Sequence, residues 1–117
     1  TKIIDGDTII VQGGDSVRFL GIDCDERGKE CYNEAKERLE EVLLNKEVVL
    51  ELGNEDKDIY NRYLRYVFLD GENINLKMIE DGYCVARFPE EDKYKKEFSE
   101  AEKNAIDNKI GCKWKDI

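Results

Sequence analysis

Histidine is absent from this chain of 117 residues, and proline, methionine and tryptophan occur once each. Without an imidazole, and with no pair of cysteines in C-x-x-C spacing, an ordinary zinc site is not expected. No apolar run approaches the length that spans a bilayer, and no charged-then-apolar opening resembles a signal peptide. Basic charge is scarce: 19 Lys and Arg face 28 Asp and Glu, giving a formal net charge of −9. That sign argues against strong non-specific affinity for nucleic acid, because phosphate binders usually carry a basic stripe. It does not exclude a local site, where a dication and a few arginines dominate the nearby field.

What is present is 40% apolar and 40% charged, too hydrophobic for a disordered chain and too charged for a membrane protein. One soluble domain over residues 1–117 is the economical expectation. The first residue is Thr1 rather than Met, and Ile3 and Ile4 arrive as though a strand had already begun. A processed form or a segment of a longer chain is therefore expected.

Cys24, Cys31, Cys84 and Cys112 make an even set. In a small domain that favours disulfides and a secreted or cell-surface location, with a cytoplasmic one if the thiols are free. Cys24 and Cys31 flank a short loop. Cys84 meets Cys112 if the last helix packs its tail on the Tyr83 segment, so Cys24–Cys31 and Cys84–Cys112 are the expected bridges.

Thr8 to Val11 reads as a strand, Gln12-Gly13-Gly14-Asp15 as a hairpin turn and Ser16 to Ile22 as the returning strand. From Asn33, a plausible N-cap, Ala35, Leu39, Val42, Leu43 and Lys46 follow helical spacing. Glu47 to Leu52 and Tyr63 to Leu69 read as strands around a polar, acidic loop from Gly53 to Asn61. A short helix over Asn75 to Asp81 ends at Gly82, placed to take positive φ. An extended piece from Tyr83 to Phe88 is closed by Pro89, and Tyr94, Phe98, Ala101 and Ala105 mark a third helix. Three strands, a helix and two strands is the order of a five-stranded OB-fold barrel, here in an α+β chain with three α-helices.

Acids and arginines near strand ends carry the chemistry. Asp5-Gly6-Asp7-Thr8 is a tight turn with acids on both sides of its glycine. An apolar strand from Arg18 feeds Asp23, Asp25 and Glu26, hard oxygen donors suited to calcium. Arg62 heads a strand beside Tyr60, Tyr63 and Tyr66, and a second arginine on another strand allows two guanidinium forks to clamp one phosphate. Taken singly, these patches are a β-turn, a solvated acidic loop and a surface ion-pairing arginine.

Together they resemble the staphylococcal nuclease, or thermonuclease, family. The likeness is carried by Ile4-Asp5-Gly6-Asp7-Thr8, by Arg18-Phe19-Leu20-Gly21-Ile22-Asp23-Cys24-Asp25-Glu26 and by Asp58-Ile59-Tyr60-Asn61-Arg62. Tyr32-Asn33-Glu34-Ala35, Glu80-Asp81-Gly82-Tyr83 and the Trp114 tail extend it. The resemblance implies a Ca2+-dependent phosphodiesterase acting on DNA and RNA. It assigns the metal to Asp7, Asp23 and the backbone carbonyl of Cys24, and the attacking water to Glu26. The scissile phosphate falls to Arg18 and Arg62, with products ending in 3′-phosphate. Single-stranded DNA and RNA are the expected partners, and a monomer the expected state.

The departures from the family pattern are informative. Cys24 and Asp25 stand where Thr and Pro are usual, so the metal loop gains a carboxylate that tightens the ion or repels substrate. Asn61 stands for Gly, which a left-handed backbone tolerates. Ile59 replaces a nucleotide-binding lysine, leaving Tyr60 and Phe88 to flank a base, with core packing as the other reading of Phe88. The alternative to an enzyme is a catalytically silent OB module binding nucleic acid or protein.

Overall fold

The computed structural model describes residues 2–117, and within them the chain is α+β. Strands β1 (Lys2–Asp5), β2 (Thr8–Ile10) and β3 (Ser16–Phe19) form an antiparallel run, with Ile3 opposite Ile9 and Ile9 opposite Val17. The β2–β3 turn uses Gly13 and Gly14 at φ 96° and 93°, a backbone that side chains resist. Alternation does the rest, burying Ile3, Ile9, Val17 and Phe19 on one face.

The strand expected over residues 16–22 is broken in two. Gly21 adopts φ 82°, and a Cβ there would lie 2.2 Å from the Phe98 ring, so the chain turns at a position no other residue fits. The next strand, β4 (Ile22–Asp23), leaves the main sheet and pairs with β8 (Val85–Ala86). This break places the residues after Ile22 at a second rim instead of along β3.

Helix α1 (Tyr32–Leu43) packs Ala35, Leu39 and Leu43 inward, as the periodicity predicts. It starts one residue before Asn33, which is therefore inside the helix and not its cap. Cys31 takes the cap position without a side-chain bond. The chain then crosses to β5 (Val49–Lys57) and returns in β6 (Tyr63–Leu69), which lies parallel to β3 with Arg18 opposite Leu64. The strand order β1-β2-β3-β6-β5 is that of the OB fold, with β7 (Glu72–Asn73) added on β6. Among the described residues no ladder joins β1 to β5, so pairing leaves that side of the barrel open.

Most of the loop expected over residues 53–61 belongs to β5; only residues 58–62 turn, with Asn61 left-handed at φ 63°. Helix α2 (Ile74–Glu80) is capped by Asn73, whose side chain accepts the Leu76 N–H at 3.1 Å. Within it Asn75 is fully buried. Its carbonyl accepts the Val67 N–H at 2.9 Å and its amide donates to Leu20 O at 2.7 Å and Arg65 O at 3.2 Å, joining α2 to β6 and the end of β3. Gly82 takes φ 73°, and a Cβ there would meet Ile110 O at 1.9 Å.

Helix α3 (Lys95–Asp107) closes the core through Phe98, against which Tyr66 and Phe88 stack with centroids 6.4 and 6.0 Å away. A fourth helix, α4 (Gly111–Trp114), is a single turn within the segment expected to be an irregular tail.

All four cysteines are bridged, but not in the expected pairs. Cys24 joins Cys84 and Cys31 joins Cys112, with Cα atoms 4.4 and 5.8 Å apart. The reason is the β4–β8 ladder, which sets Asp23 opposite Val85 and carries the two flanking cysteines together. The start of α1 is left facing α4.

Candidate active site

Two chain reversals build the site. The turn at residues 5–8 is stiffened by its own acids, for Asp5 Oδ1 accepts the Asp7 N–H at 3.0 Å and Asp7 O accepts the Phe19 N–H at 2.8 Å. Gly6 is required because a Cβ there would sit 2.8 Å from Ala35 Cβ and 2.9 Å from Cys24 Cβ. The close approach brings the turn onto the chain just after β4. There Asp7 Oδ2 accepts the backbone N–H of Cys24 at 2.8 Å.

Asp7 is 4% exposed, and burial pushes its carboxyl up to about 7 despite the opposing charge of Arg18. Arg18 projects from β3 between two acids, with Nη2 3.3 Å from Asp7 Oδ2 and 3.8 Å from Asp23 Oδ1. Its Nη1 also donates to Phe19 O at 2.5 Å. One guanidinium thus holds two carboxylates that like-charge repulsion would otherwise separate. Asp7, Arg18, Asp23 and Cys24 are brought together here.

Glu26 lies two residues beyond Cys24, exposed, on the wall of an open groove of about 210 Å³ shared with Asp23, Cys24, Asp25, Lys29 and Lys113. Arg62 sits one residue ahead of β6. Strand alternation carried back from Leu64 puts it on the side of the sheet that Arg18 occupies. Its contacts are local: Nε bonds Asp58 Oδ2 at 2.7 Å, and the guanidinium stands 5.3 Å from the Tyr60 ring centroid. Tyr60 is exposed at 74%, open to a stacking partner. Phe88 is half-buried and stacked on Phe98, so its ring is engaged by the core.

Asp25 lines the same groove as Asp23 and Glu26, but its carboxylate is held by other partners. Its carboxylate accepts the Cys31 N–H at 2.8 Å and pairs with Lys113 Nζ at 2.5 Å. Burial opposes its ionisation, yet these bonds outweigh burial and hold the carboxyl below the usual range. The added acid therefore ties the loop after β4 to α1 and α4.

Sequence reasoning missed Arg87, whose Nη1 lies 3.2 Å from Asp23 Oδ2 while its own N–H donates to Gly21 O at 2.8 Å. The available signal was a charge following the apolar pair of β8.

Among the described residues no cluster of three or more His, Cys, Asp or Glu forms a ready metal cage. A hard cation nonetheless suits the donor set. Asp7 and Asp23 both offer carboxylate oxygens around the Arg18 guanidinium, and a positive ion would relieve the penalty on ionising buried Asp7. With two side-chain ligands, water or substrate oxygens must complete the shell.

Fold and site together define a small OB-type domain with a carboxylate–arginine centre where the turn at residues 5–8 and β4 meet the side chain of Arg18 on β3. Residues 16–116 match the profile described as "Staphylococcal nuclease homologue", and the chain belongs to that family. It is 39% identical to a protein named thermonuclease from Staphylococcus intermedius and 35% identical to one from Staphylococcus hyicus. Each alignment covers 89% of this chain and 68% of the relative. Endonuclease YncB of Bacillus subtilis is 31% identical over 93% of this chain and 57% of its own length.

Proposed function

We propose that this chain is a calcium-dependent nuclease that hydrolyses phosphodiester bonds of single-stranded DNA and RNA. The observation that carries the reading is the shared guanidinium of Arg18, which gathers Asp7 and Asp23 beside the Cys24 backbone and the Glu26 loop. Family membership and relatives named thermonuclease and endonuclease support the reaction class.

Asp7, Asp23 and the carbonyl of Cys24 would hold the ion. When bound, calcium supplies charge neutralisation for the phosphate and a site for water. Glu26 orients and deprotonates the attacking water from the exposed loop. Arg18 and Arg62 donate to non-bridging phosphate oxygens, and these bonds strengthen as charge develops in the five-coordinate transition state. Water adds to phosphorus as its proton passes to Glu26, the bond to the 5′-oxygen breaks with that oxygen taking a proton from solvent, and the products are a 5′-hydroxyl and a 3′-phosphate. Tyr60 offers a face for a base, and the chain works as a monomer. Two disulfides support a secreted or cell-surface setting.

The test is cleavage of single-stranded DNA with calcium and with excess chelator, alongside Glu26→Gln. Calcium-dependent turnover that falls ~10²- to 10⁴-fold in the variant supports the reading. Equal turnover under chelation removes the metal, and inactivity across pH 7 to 10 with calcium removes the enzyme.

A further inference from the structure

Beside the site lies a second open groove, about 370 Å³, walled by β1 and the first turn of α1. Three of its lining residues are Lys2, Arg27 and Lys36, and none of them forms an ion pair or side-chain hydrogen bond among the described residues. In a chain of net charge −9 that is unexpected, for most of the other cations are held by acids. The floor is different in kind. Tyr32 lies against β1 with its hydroxyl donating to Ile4 O at 3.2 Å, and Ile4 itself is 37% exposed.

Unneutralised cations around an aromatic and apolar floor are what a single nucleic-acid strand needs, with phosphates at the rim and bases on the floor. The groove also has a fixed relation to the catalytic centre. Asp5 lines it and holds the Asp7 N–H at 3.0 Å, while Arg27 directly follows Glu26. Both walls of the groove are therefore continuous with the segments that carry Asp7 and Glu26.

We infer that the Lys2–Arg27–Lys36 groove is a subsite for the single-stranded nucleic acid flanking the scissile phosphodiester. The inference rests on the nuclease reading for its register but not for its ligand. The groove contributes affinity for long substrates and nothing to the chemical step. A substrate with one phosphodiester does not reach it.

The experiment compares the native chain with Lys2→Ala/Arg27→Ala/Lys36→Ala, and with Lys96→Ala/Lys103→Ala/Lys109→Ala as a control of equal charge change on and after α3. Two measurements are made: calcium-dependent kcat/KM on a 12-nucleotide single strand and on a dinucleotide, and binding of the fluorescent 12-mer in chelator across salt concentrations. Loss of about tenfold in kcat/KM on the 12-mer only, with a salt slope lowered by about 2, supports the subsite. The control triple should retain both values. Unchanged 12-mer cleavage and binding in the groove variant overturns it, as does an equal loss in the control. If the native chain cleaves nothing yet binds the 12-mer through these three residues, the subsite stands and the nuclease reading fails. Absence of both cleavage and binding removes both.

Discussion

Asp7 accepts the backbone N–H of Cys24 through the oxygen that also faces Arg18, at 2.8 and 3.3 Å. One carboxylate oxygen therefore joins the turn at residues 5–8, the chain after β4 and strand β3. Because Cys24 is bridged to Cys84, the same bond indirectly fixes the turn to β8.

Asp7→Asn keeps this hydrogen bond and removes the charge. At pH 8, above the value of about 7 to which burial raises the carboxyl, the wild type carries an ionised buried group that the variant lacks. The metal-free variant should accordingly be no less stable than the wild type. Calcium should raise the melting temperature of the wild type, by the equivalent of about 2.7 kcal/mol at 100 times Kd, and leave the variant nearly unmoved. Thermal melts with calcium and with chelator check this. An equal calcium shift in both proteins would take Asp7 out of the ligand set.

The two disulfides should separate in their effects. Cys31–Cys112 ties the start of α1 to α4, whereas Cys24–Cys84 anchors the chain after β4, beside Asp7 and Asp23, to the residue before β8. Removing either bridge should cost about 2–5 kcal/mol. Cys31→Ser/Cys112→Ser should keep its turnover at temperatures where it is folded, while Cys24→Ser/Cys84→Ser loses turnover as well. Peptide mapping without reduction gives the pairing directly, and a Cys24–Cys31 peptide would refute it.

Much of this architecture was legible along the chain, because β2, β3, β6 and the inward faces of α1 and α3 follow simple apolar periods. The misreadings share a cause, which is that a distant partner decides the outcome. The strand expected over residues 16–22 breaks at Gly21 because Phe98 fills the space where a side chain would go. Residues 53–57 read as a polar loop because the β5–β6 register slips there, Leu52 pairing with Arg65 and Lys57 with Tyr63, so the residues between bulge from a sheet edge and turn polar side chains to water. Disulfide pairing depends on the β4–β8 ladder, and the use of Asp25 on Lys113. Of the site, the Asp7, Arg18, Asp23 and Cys24 cluster was readable from motifs, whereas Arg87 depends on a ladder between strands of two residues each.

Asp58 sets the position of Arg62. Its Oδ1 accepts the N–H groups of Tyr60 and Arg62 at 2.9 and 3.0 Å, and its Oδ2 takes the Arg62 guanidinium. Burial opposes ionisation, but these bonds prevail and hold the carboxyl below its ordinary value. With the folded pKa depressed, the stabilisation is present above the unfolded value of about 3.9 and is lost as pH falls through the folded one. Asp58→Asn should lower stability by roughly 1–2 kcal/mol at pH 7 and flatten the acid limb of the stability profile. Urea unfolding from pH 2 to 7 reads both effects. Parallel profiles would mean that the carboxylate contributes nothing through its charge.

Arg87 sets up an exchange at Asp23. Its Nη1 lies 3.2 Å from Asp23 Oδ2, while Arg18 is 3.8 Å from the other oxygen, so both oxygens of this carboxylate face guanidinium groups. A cation that takes Asp23 competes with both, and Arg87 is the one more readily given up because its side chain is 79% exposed. An exposed pair is worth about 0.2–1 kcal/mol. Arg87→Ala should therefore tighten calcium by about 1.5- to 5-fold in calorimetric titration. The same substitution removes positive charge where substrate phosphate approaches, so KM for single-stranded DNA should rise, more at low than at high ionic strength. Arg87→Lys, which keeps the charge but loses the fork, should leave KM near the wild-type value while still loosening the hold on Asp23. An unchanged calcium affinity in both variants would show that Asp23 gives up Arg87 without cost, and that the pair does not regulate ion entry.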